Sequence, residues 1–178
     1  DIPSGTQDAQ LYFLNTARKI FLASMIAFYG IGVDFVDICK TVFFNSLEDL
    51  ARLIRVTKNE LAIGYIMPII EENEKNTSGA KSALNDKVKL FADNENMQNL
   101  LRRPLRNFDT GKVEPCFVPE LIEDSQVFIK VPDKKQEYYA ALMHIVTGQI
   151  LEYISGREYN SRTDRRILIA LDEFASLG

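Results

Sequence analysis

Residues 165–178 of this chain read Arg-Arg-Ile-Leu-Ile-Ala-Leu-Asp-Glu-Phe-Ala-Ser-Leu-Gly. An unbroken apolar run, 167–171, leads directly into the adjacent carboxylates Asp172 and Glu173. Such a run is typical of a strand buried on both faces of a parallel sheet, and open α/β sheets bind ligands at the carboxyl ends of their strands. The pattern is that of a Walker B strand, in which Asp172 would hold a magnesium ion through water and Glu173 would activate the water that attacks the γ-phosphate.

Other strand signals lie upstream of this stretch. Residues 126–131, Gln-Val-Phe-Ile-Lys-Val, predict a strand, and a weaker one is expected over residues 113–117. A helix is expected over about residues 134–155. With a terminal strand over residues 166–171, these elements predict a βαβ unit, which is almost always right-handed with parallel strands.

The preceding residues, 8–103, predict an all-helical unit of about six helices, because their apolar residues recur at spacings of three and four. Asp8 is expected to cap the first helix, Ser46 and Asp49 form a capping box, and Ser78 is expected to cap the fifth helix. Five of the predicted helices span about residues 8–29, 34–44, 59–72, 80–92 and 95–102, and the capping box opens the remaining one.

Composition excludes several classes of protein. Apolar residues make up 46% of the chain, too many for a disordered one. Residues 1–104 hold 12 Lys/Arg against 13 Asp/Glu, and residues 105–178 hold 9 against 12, so neither part has the charge of a basic nucleic-acid-binding domain. The longest apolar stretch, 20–33, is too short to span a bilayer.

A Walker A loop, which would hold the phosphates, is missing from the sequence. The segment Gly79-Ala80-Lys81-Ser82 lacks the earlier glycine of that motif and is expected to start a helix, and Thr110-Gly111-Lys112 is followed by valine. Two explanations stay open: the phosphate loop precedes Asp1 in a longer parent, or Asp172 and Glu173 are structural. In either case the chain alone is expected to hydrolyse no ATP and to hold no cofactor.

The remaining candidate residues favour structural roles. Cys39 and Cys116 match no metal-ligand spacing and are expected to be reduced thiols. His144 is expected to be a partly buried structural histidine. The aromatic residues of the first helix follow helical spacing and predict core packing rather than a base-stacking platform. A small basic cluster, for which a solvated surface is favoured over a phosphate contact, comprises Arg102, Arg103 and Arg106.

Two segments together resemble a known family. Residues 125–134 look like the strand and Val-Pro-Asp turn that precede the crossover helix in type IV secretion coupling proteins of the TraG/TraD type. Residues 168–178 resemble the Walker B segment of these proteins, in which Asp-Glu-Phe is followed by a small residue and Leu-Gly. Residues 89–93 and 99–101 are similar to the end of the helical insertion in that family.

The resemblance implies a hexameric, membrane-anchored ATPase of conjugation, whose RecA-like motor domain is interrupted by an all-α domain between Walker A and Walker B. The expected fold is therefore mainly α. Residues 1–104 would be an all-α substrate-recognition domain, and residues 105–178 a partial α/β RecA-like nucleotide-binding domain ending at Walker B. In the full-length parent, Glu173 would be catalytic, and Asp172 would bind Mg²⁺ with ATP.

The partners implied by the resemblance are a relaxase or another secreted protein, accessory relaxosome proteins, single-stranded DNA and components of the secretion channel. The near-neutral charge of residues 8–103 favours recognition of a cargo protein over contact with DNA. The implied location is the cytoplasmic side of a bacterial inner membrane. Two alternatives are a fragment of a DNA translocase of the FtsK/HerA kind, and a purely helical interaction module with an inert Asp-Glu pair.

Overall fold

The computed structural model describes residues 4–114, 116–131, 136–158 and 166–170. The chain divides into two compact units, Asp1–Arg103 and Pro104–Gly178. The prediction of a mainly helical chain is confirmed. Helices of the first unit, the helical unit, are α1 (Ser4–Tyr29), α2 (Phe35–Phe44), α3 (Leu47–Val56), α4 (Glu60–Ile70), α5 (Glu74–Asp93) and α6 (Glu95–Leu101).

Side-chain caps fix where most of these helices begin. The capping box predicted at Ser46 is confirmed: its hydroxyl accepts a hydrogen bond from the Asp49 backbone N–H at 3.1 Å and donates one to the Asp49 carboxylate at 2.8 Å. Asp34 and Asn59 cap α2 and α4 in the same manner, each accepting a backbone N–H. Helix starts of this kind are readable from sequence because short polar side chains satisfy the free N–H groups of the first turn.

The predicted start of the fifth helix is wrong. The helix begins at Glu74 rather than near Ala80, because the Asn73 side chain accepts the backbone N–H of Asn76 at 3.0 Å and caps it there. Gly79, in the segment expected to start this helix, lies inside α5, and a β-carbon at that position would lie 2.7 Å from the ring of Phe13. Close packing against α1 therefore explains this glycine.

The core of the helical unit forms around α1 and α5. Helix α1 packs against α2, α3, α4 and α5, and α2 also packs against α5. Edge-to-face rings join three elements, with centroid distances of 6.5 Å between Phe21 and Phe35 and 5.2 Å between Phe35 and Phe91. The largest fully buried side chains are Ile20, Ile38, Cys39, Val42, Leu50, Ile54, Ile66 and Met97.

The expectation that the aromatic residues of α1 pack in the core is correct for some of them only. Phe28 is buried, and Phe13 and Phe21 are half-buried. Tyr29 is exposed at the last residue of α1, and Tyr12 is exposed while its hydroxyl donates a hydrogen bond to the Glu72 carboxylate. Helical spacing thus identified the face of α1 that contacts the core, but not which aromatic residues at its edges are buried.

The second unit contains a 3₁₀ helix at Pro119–Glu123 and a long helix, α7, at Gln136–Gly156. The helix predicted over about residues 134–155 is thereby observed as α7. Near the start of the unit, residues 105–114 fold into a short hairpin with one antiparallel bridge between Arg106 and Val113. We call it the 105–114 hairpin.

Among the described residues the predicted βαβ unit is not observed. Residues 126–131 and 166–170 have no strand structure, and the described part of the predicted weak strand near residues 113–117 shows one bridge, at Val113. A strand exists through hydrogen bonds to a neighbouring strand, and among the described residues neither apolar segment has such a neighbour. Accordingly, no side chain described in the second unit is buried.

Candidate functional site

The residues predicted to be catalytic and metal-binding, Glu173 and Asp172, lie outside the described residues. Their roles therefore remain predictions. The apolar segment that leads toward them is described over residues 166–170, where Leu168 is 90% exposed. A residue of a buried strand should instead be covered on both faces. The elements that precede the predicted site in the chain are described, and their geometry bears on how that site would be held.

One ionic cluster ties these preceding elements together. The Arg157 guanidinium, just after α7, contacts both carboxylate oxygens of Glu123 in the 3₁₀ helix, Nη2 to Oε2 and Nε to Oε1, each at 2.6 Å. The Tyr153 hydroxyl donates a third hydrogen bond to the Glu123 carboxylate at 3.1 Å. Desolvation and this carboxylate raise the pKa of Tyr153.

This cluster, Glu123–Tyr153–Arg157, positions elements rather than performing chemistry. A bidentate Arg–carboxylate pair is strongly directional, and both charged side chains are mostly covered, with 14% and 25% of their surface exposed. The cluster holds the end of α7 against the 3₁₀ helix, ahead of the segment that leads to Asp172. Sequence reasoning missed it, because partners 34 residues apart leave no periodic signal.

The segment that resembles a phosphate loop, around Lys81, serves the helical unit instead. The Lys81 ammonium donates to the Val42 carbonyl at 2.7 Å and to the Asn85 side chain at 2.5 Å. Val42 lies in the last turn of α2, where carbonyls have no partner within the helix. Lys81 thus caps the C-terminus of α2 with a positive charge, which the helix dipole favours. Burial lowers its pKa.

Neither cysteine participates in a visible site. Both are free thiols, as the sequence predicts, with Cys39 buried in α2 and Cys116 exposed. Burial, followed by the negative charge of Asp34, raises the pKa of Cys39 to about 12, which suppresses its reactive thiolate. Over the described ranges, no cluster of His, Cys, Asp and Glu side chains is suited to a metal ion.

The predicted environment of His144 is wrong. This residue lies on an exposed position of α7 instead of a partly buried one. Helix α7 packs against the 3₁₀ helix, and its described side chains are half-buried or exposed, with none fully buried. The basic cluster is divided: Arg102 is half-buried, whereas Arg103 and Arg106 are exposed.

Comparison with known proteins identifies the family. Sequence and fold together define a class of protein in which a helical domain is followed by a unit that carries an Asp-Glu pair after an apolar run. The family model described as type IV secretory system conjugative DNA transfer matches residues 42–178, more than three quarters of the chain. The chain belongs to this family, and the resemblance to TraG/TraD-type coupling proteins is confirmed. Searches of curated proteins and of solved structures give no match.

The family assigns this chain to conjugative DNA transfer by a type IV secretion system. The match begins in the last turns of α2 and includes α3 to α7. Among the helices that the structure describes, none is both long enough and apolar enough to cross a membrane.

Proposed function

We propose that this chain is part of a coupling ATPase that recruits a relaxase or another protein substrate, together with its single-stranded DNA, and delivers it to the secretion channel. In the full-length parent, Asp172 would bind Mg²⁺ through water and Glu173 would activate the attacking water. ATP and Mg²⁺ would be held only when the parent supplies a phosphate loop. The parent would be a membrane-anchored homo-hexamer with this part in the cytoplasm.

The observation that carries this proposal is the extent of the family match. It includes the apolar run and the Asp-Glu pair at residues 167–173 as well as most of the helical unit. A chance Asp-Glu pair after a strand would need no helical unit before it, whereas a motor domain with a helical insertion needs both.

Burial in the second unit supports an incomplete nucleotide-binding domain. Residues 126–131 and 166–170 have the composition of covered strands but expose Phe128 and Leu168 almost completely. Apolar segments of this kind form parallel sheets only when further strands and helices cover both faces. We propose that these covering elements, like the phosphate loop, belong to other parts of the parent.

The helical unit is the proposed cargo-recognition domain. It has a core of its own, independent of the second unit, and its balanced charge does not favour a polyanionic ligand. An interaction module with a closed core and a mixed surface is suited to binding a folded protein such as a relaxase or an accessory relaxosome protein.

The catalytic part of the proposal is tested in the full-length parent with Glu173→Gln. We expect ATP turnover to fall about 100-fold or more, because a general base contributes on that order, while nucleotide binding persists. A matched control is Glu158→Gln, an exposed glutamate of the same unit. Unchanged turnover in Glu173→Gln would favour an inert Asp-Glu pair and a purely helical interaction module.

The cargo part is tested with the present chain in a binding titration against the relaxase of its own conjugative system. We expect association that weakens little between low and moderate salt, since few phosphate-like charges are involved. Absence of relaxase binding would contradict the cargo role. A DNA translocase of the FtsK/HerA kind would show the same absence together with ATP-driven movement on duplex DNA by the parent.

A further inference from the structure

Hydrogen bonds within the 105–114 hairpin fix the conformation of its turn. The Asn107 backbone N–H donates to the Lys112 carbonyl at 2.8 Å, and the Gly111 N–H returns to the Asn107 carbonyl at 2.8 Å. The Asn107 side chain accepts the backbone N–H groups of Asp109 and Thr110 at 3.0 and 2.9 Å. Gly111 has φ +67°, a left-handed conformation that glycine adopts without strain. The turn is thereby fixed from inside.

At the base of the hairpin, a second set of bonds closes the two arms. The Glu114 N–H donates to the Leu105 carbonyl at 3.0 Å, and the Leu105 N–H donates to the Glu114 carboxylate at 3.0 Å. The Glu114 charge is therefore engaged within the hairpin itself. A loop closed at its base and at its turn presents its tip in a defined position.

The side chain held at this tip is Phe108, whose surface is fully exposed. It follows directly after Asn107, the residue that organises the turn. Among the exposed apolar side chains of the described residues it is the most exposed one. A phenylalanine ring held entirely in water stabilises nothing in the fold, since its hydrophobic free energy is unrealised. A fixed, solvated aromatic ring is suited to contact with a ligand.

Two cations and two carboxylates lie on the hairpin that carries this ring. The cations are Arg106 and Lys112; of the carboxylates Asp109 and Glu114, Glu114 accepts the Leu105 backbone N–H at the base. Arg106 and Lys112 lie on the two arms beside the tip, and both are exposed. Neither side chain forms an ion pair with the residues that the structure describes. Because Glu114 is bonded within the hairpin, Arg106 and Lys112 are the cations available to a ligand beside the tip.

We propose that the 105–114 hairpin contacts single-stranded DNA, with Phe108 stacking on an unpaired base and Arg106 and Lys112 binding the flanking phosphates. Aromatic rings combined with cations bind single strands with little sequence preference, because every base offers a π-face. A duplex hides those faces within its stack. The inference rests on the proposed delivery of DNA by this family and names a place where the transferred strand is held.

The test uses the absence of tryptophan from this chain, since F108W then introduces a single indole fluorophore at the tip. An oligothymidylate of about 20 nucleotides, longer than one site of this kind, is titrated into F108W at about 50 mM salt. We expect quenching of the fluorescence by the single strand and much less quenching by a duplex of equal length. The matched control is F44W, since Phe44 is an exposed phenylalanine of α2.

Affinity measurements complete the test. Phe108→Ala should weaken oligothymidylate binding about five-fold or more. Arg106→Gln should lower the slope of log K against log salt by about 0.7 for the lost phosphate contact, whereas Arg18→Gln, at an exposed position of α1, should leave it unchanged. These measurements use the present chain without ATP, so they are independent of the Glu173→Gln experiment in the parent.

Several results would overturn the inference. The chain would fail to bind the oligonucleotide at low salt, or binding would leave the F108W fluorescence unchanged, or F108W and F44W would be quenched equally. Quenching by the duplex equal to that by the single strand would also overturn it. If the F108W fluorescence does not change with DNA but changes when the relaxase is added, the hairpin contacts a protein partner instead.

Discussion

The helical unit and the second unit solve the burial of apolar side chains in opposite ways. Residues 4–103 enclose a core in which large side chains such as Ile54 and Ile66 are completely covered. Among the described residues of the second unit, apolar side chains are at most half-buried. Helices satisfy their backbone hydrogen bonds internally, so six of them close around a core without outside help, whereas apolar strands need neighbouring strands. An exposed strand sequence therefore indicates surfaces that other elements must cover.

The largest expected contrast between the units is in thiol chemistry. A disulfide reagent should modify Cys116 at least about 100-fold faster than Cys39, because Cys116 is exposed and Cys39 reacts only after the core opens. The rates are measured separately in Cys39→Ala and Cys116→Ser chains. In denaturant the two thiols should react at similar rates. Similar rates in the native chain would mean that the helical unit has no closed core.

The raised pKa of Cys39 adds a pH dependence to this contrast. Its folded-state pKa of about 12 lies above the ordinary value of 9.0, so the folded chain retains a proton that the unfolded chain releases. The stability that this thiol contributes is fully present below pH 9.0 and is lost as the pH rises toward 12. The Cys39→Ala chain should lose stability less steeply over that range than the Cys116→Ser chain.

Matched isoleucine truncations sharpen the comparison at the level of packing. Ile66→Ala removes a completely buried side chain of α4 and should lower the free energy of unfolding by about 2–5 kcal/mol. Ile150→Ala removes the same atoms from a half-buried position of α7 and should change it by about 1 kcal/mol or less. Urea unfolding followed by circular dichroism measures both. Equal losses would show that α7 belongs to a core as complete as that of the helical unit.

The same contrast explains what the sequence predicted and what it did not. Helix starts at Asp34, Ser46 and Asn59 were readable because a cap is a local interaction of neighbouring residues. The start of α5 was misplaced near Ala80, because the reason for Gly79 is contact with Phe13, more than 60 residues away, and such contact leaves no local signal. Local interactions can be read from one segment, but packing partners distant in the chain cannot.

The candidate site divides along the same line. The Asp172-Glu173 pair and its apolar run were recognised from sequence, because a strand and its terminal carboxylates are contiguous. The described parts of the predicted strands, residues 126–131 and 166–170, have no strand structure, since pairing is a property of a sheet and not of a segment. The Glu123–Tyr153–Arg157 cluster and the closed 105–114 hairpin were missed for a related reason: each depends on hydrogen bonds between separate segments.

A polar contact between helices gives a smaller expected effect. Lys81→Met removes the charged cap from the Val42 carbonyl at the end of α2 and should lower the stability of the helical unit by about 1–2 kcal/mol. Because burial lowers the pKa of Lys81, desolvation offsets part of the bond, and a larger loss is not expected. Lys87→Met, at an exposed position of the same helix, is the control and should stay within about 0.5 kcal/mol.

The smallest expected effect changes sign between two glycines that both lie inside helices. Gly64→Ala in α4 adds a methyl group that meets no atom within 4 Å, so helix propensity should stabilise the unit by about 0.5–1 kcal/mol. Gly79→Ala in α5 adds one that must displace the Phe13 ring. Overpacking of this kind costs about 1–3 kcal/mol, so the net result should be destabilising despite the same gain in propensity.

A double-mutant cycle decides whether the Phe13 ring is the cause. In a Phe13→Ala background the added methyl group no longer meets the ring, so Gly79→Ala should become stabilising, as Gly64→Ala is in the original chain. Thermal unfolding of the four chains of the cycle measures the coupling. If Gly79→Ala stays destabilising without the ring, then the glycine is required by the α5 backbone and not by its packing against α1.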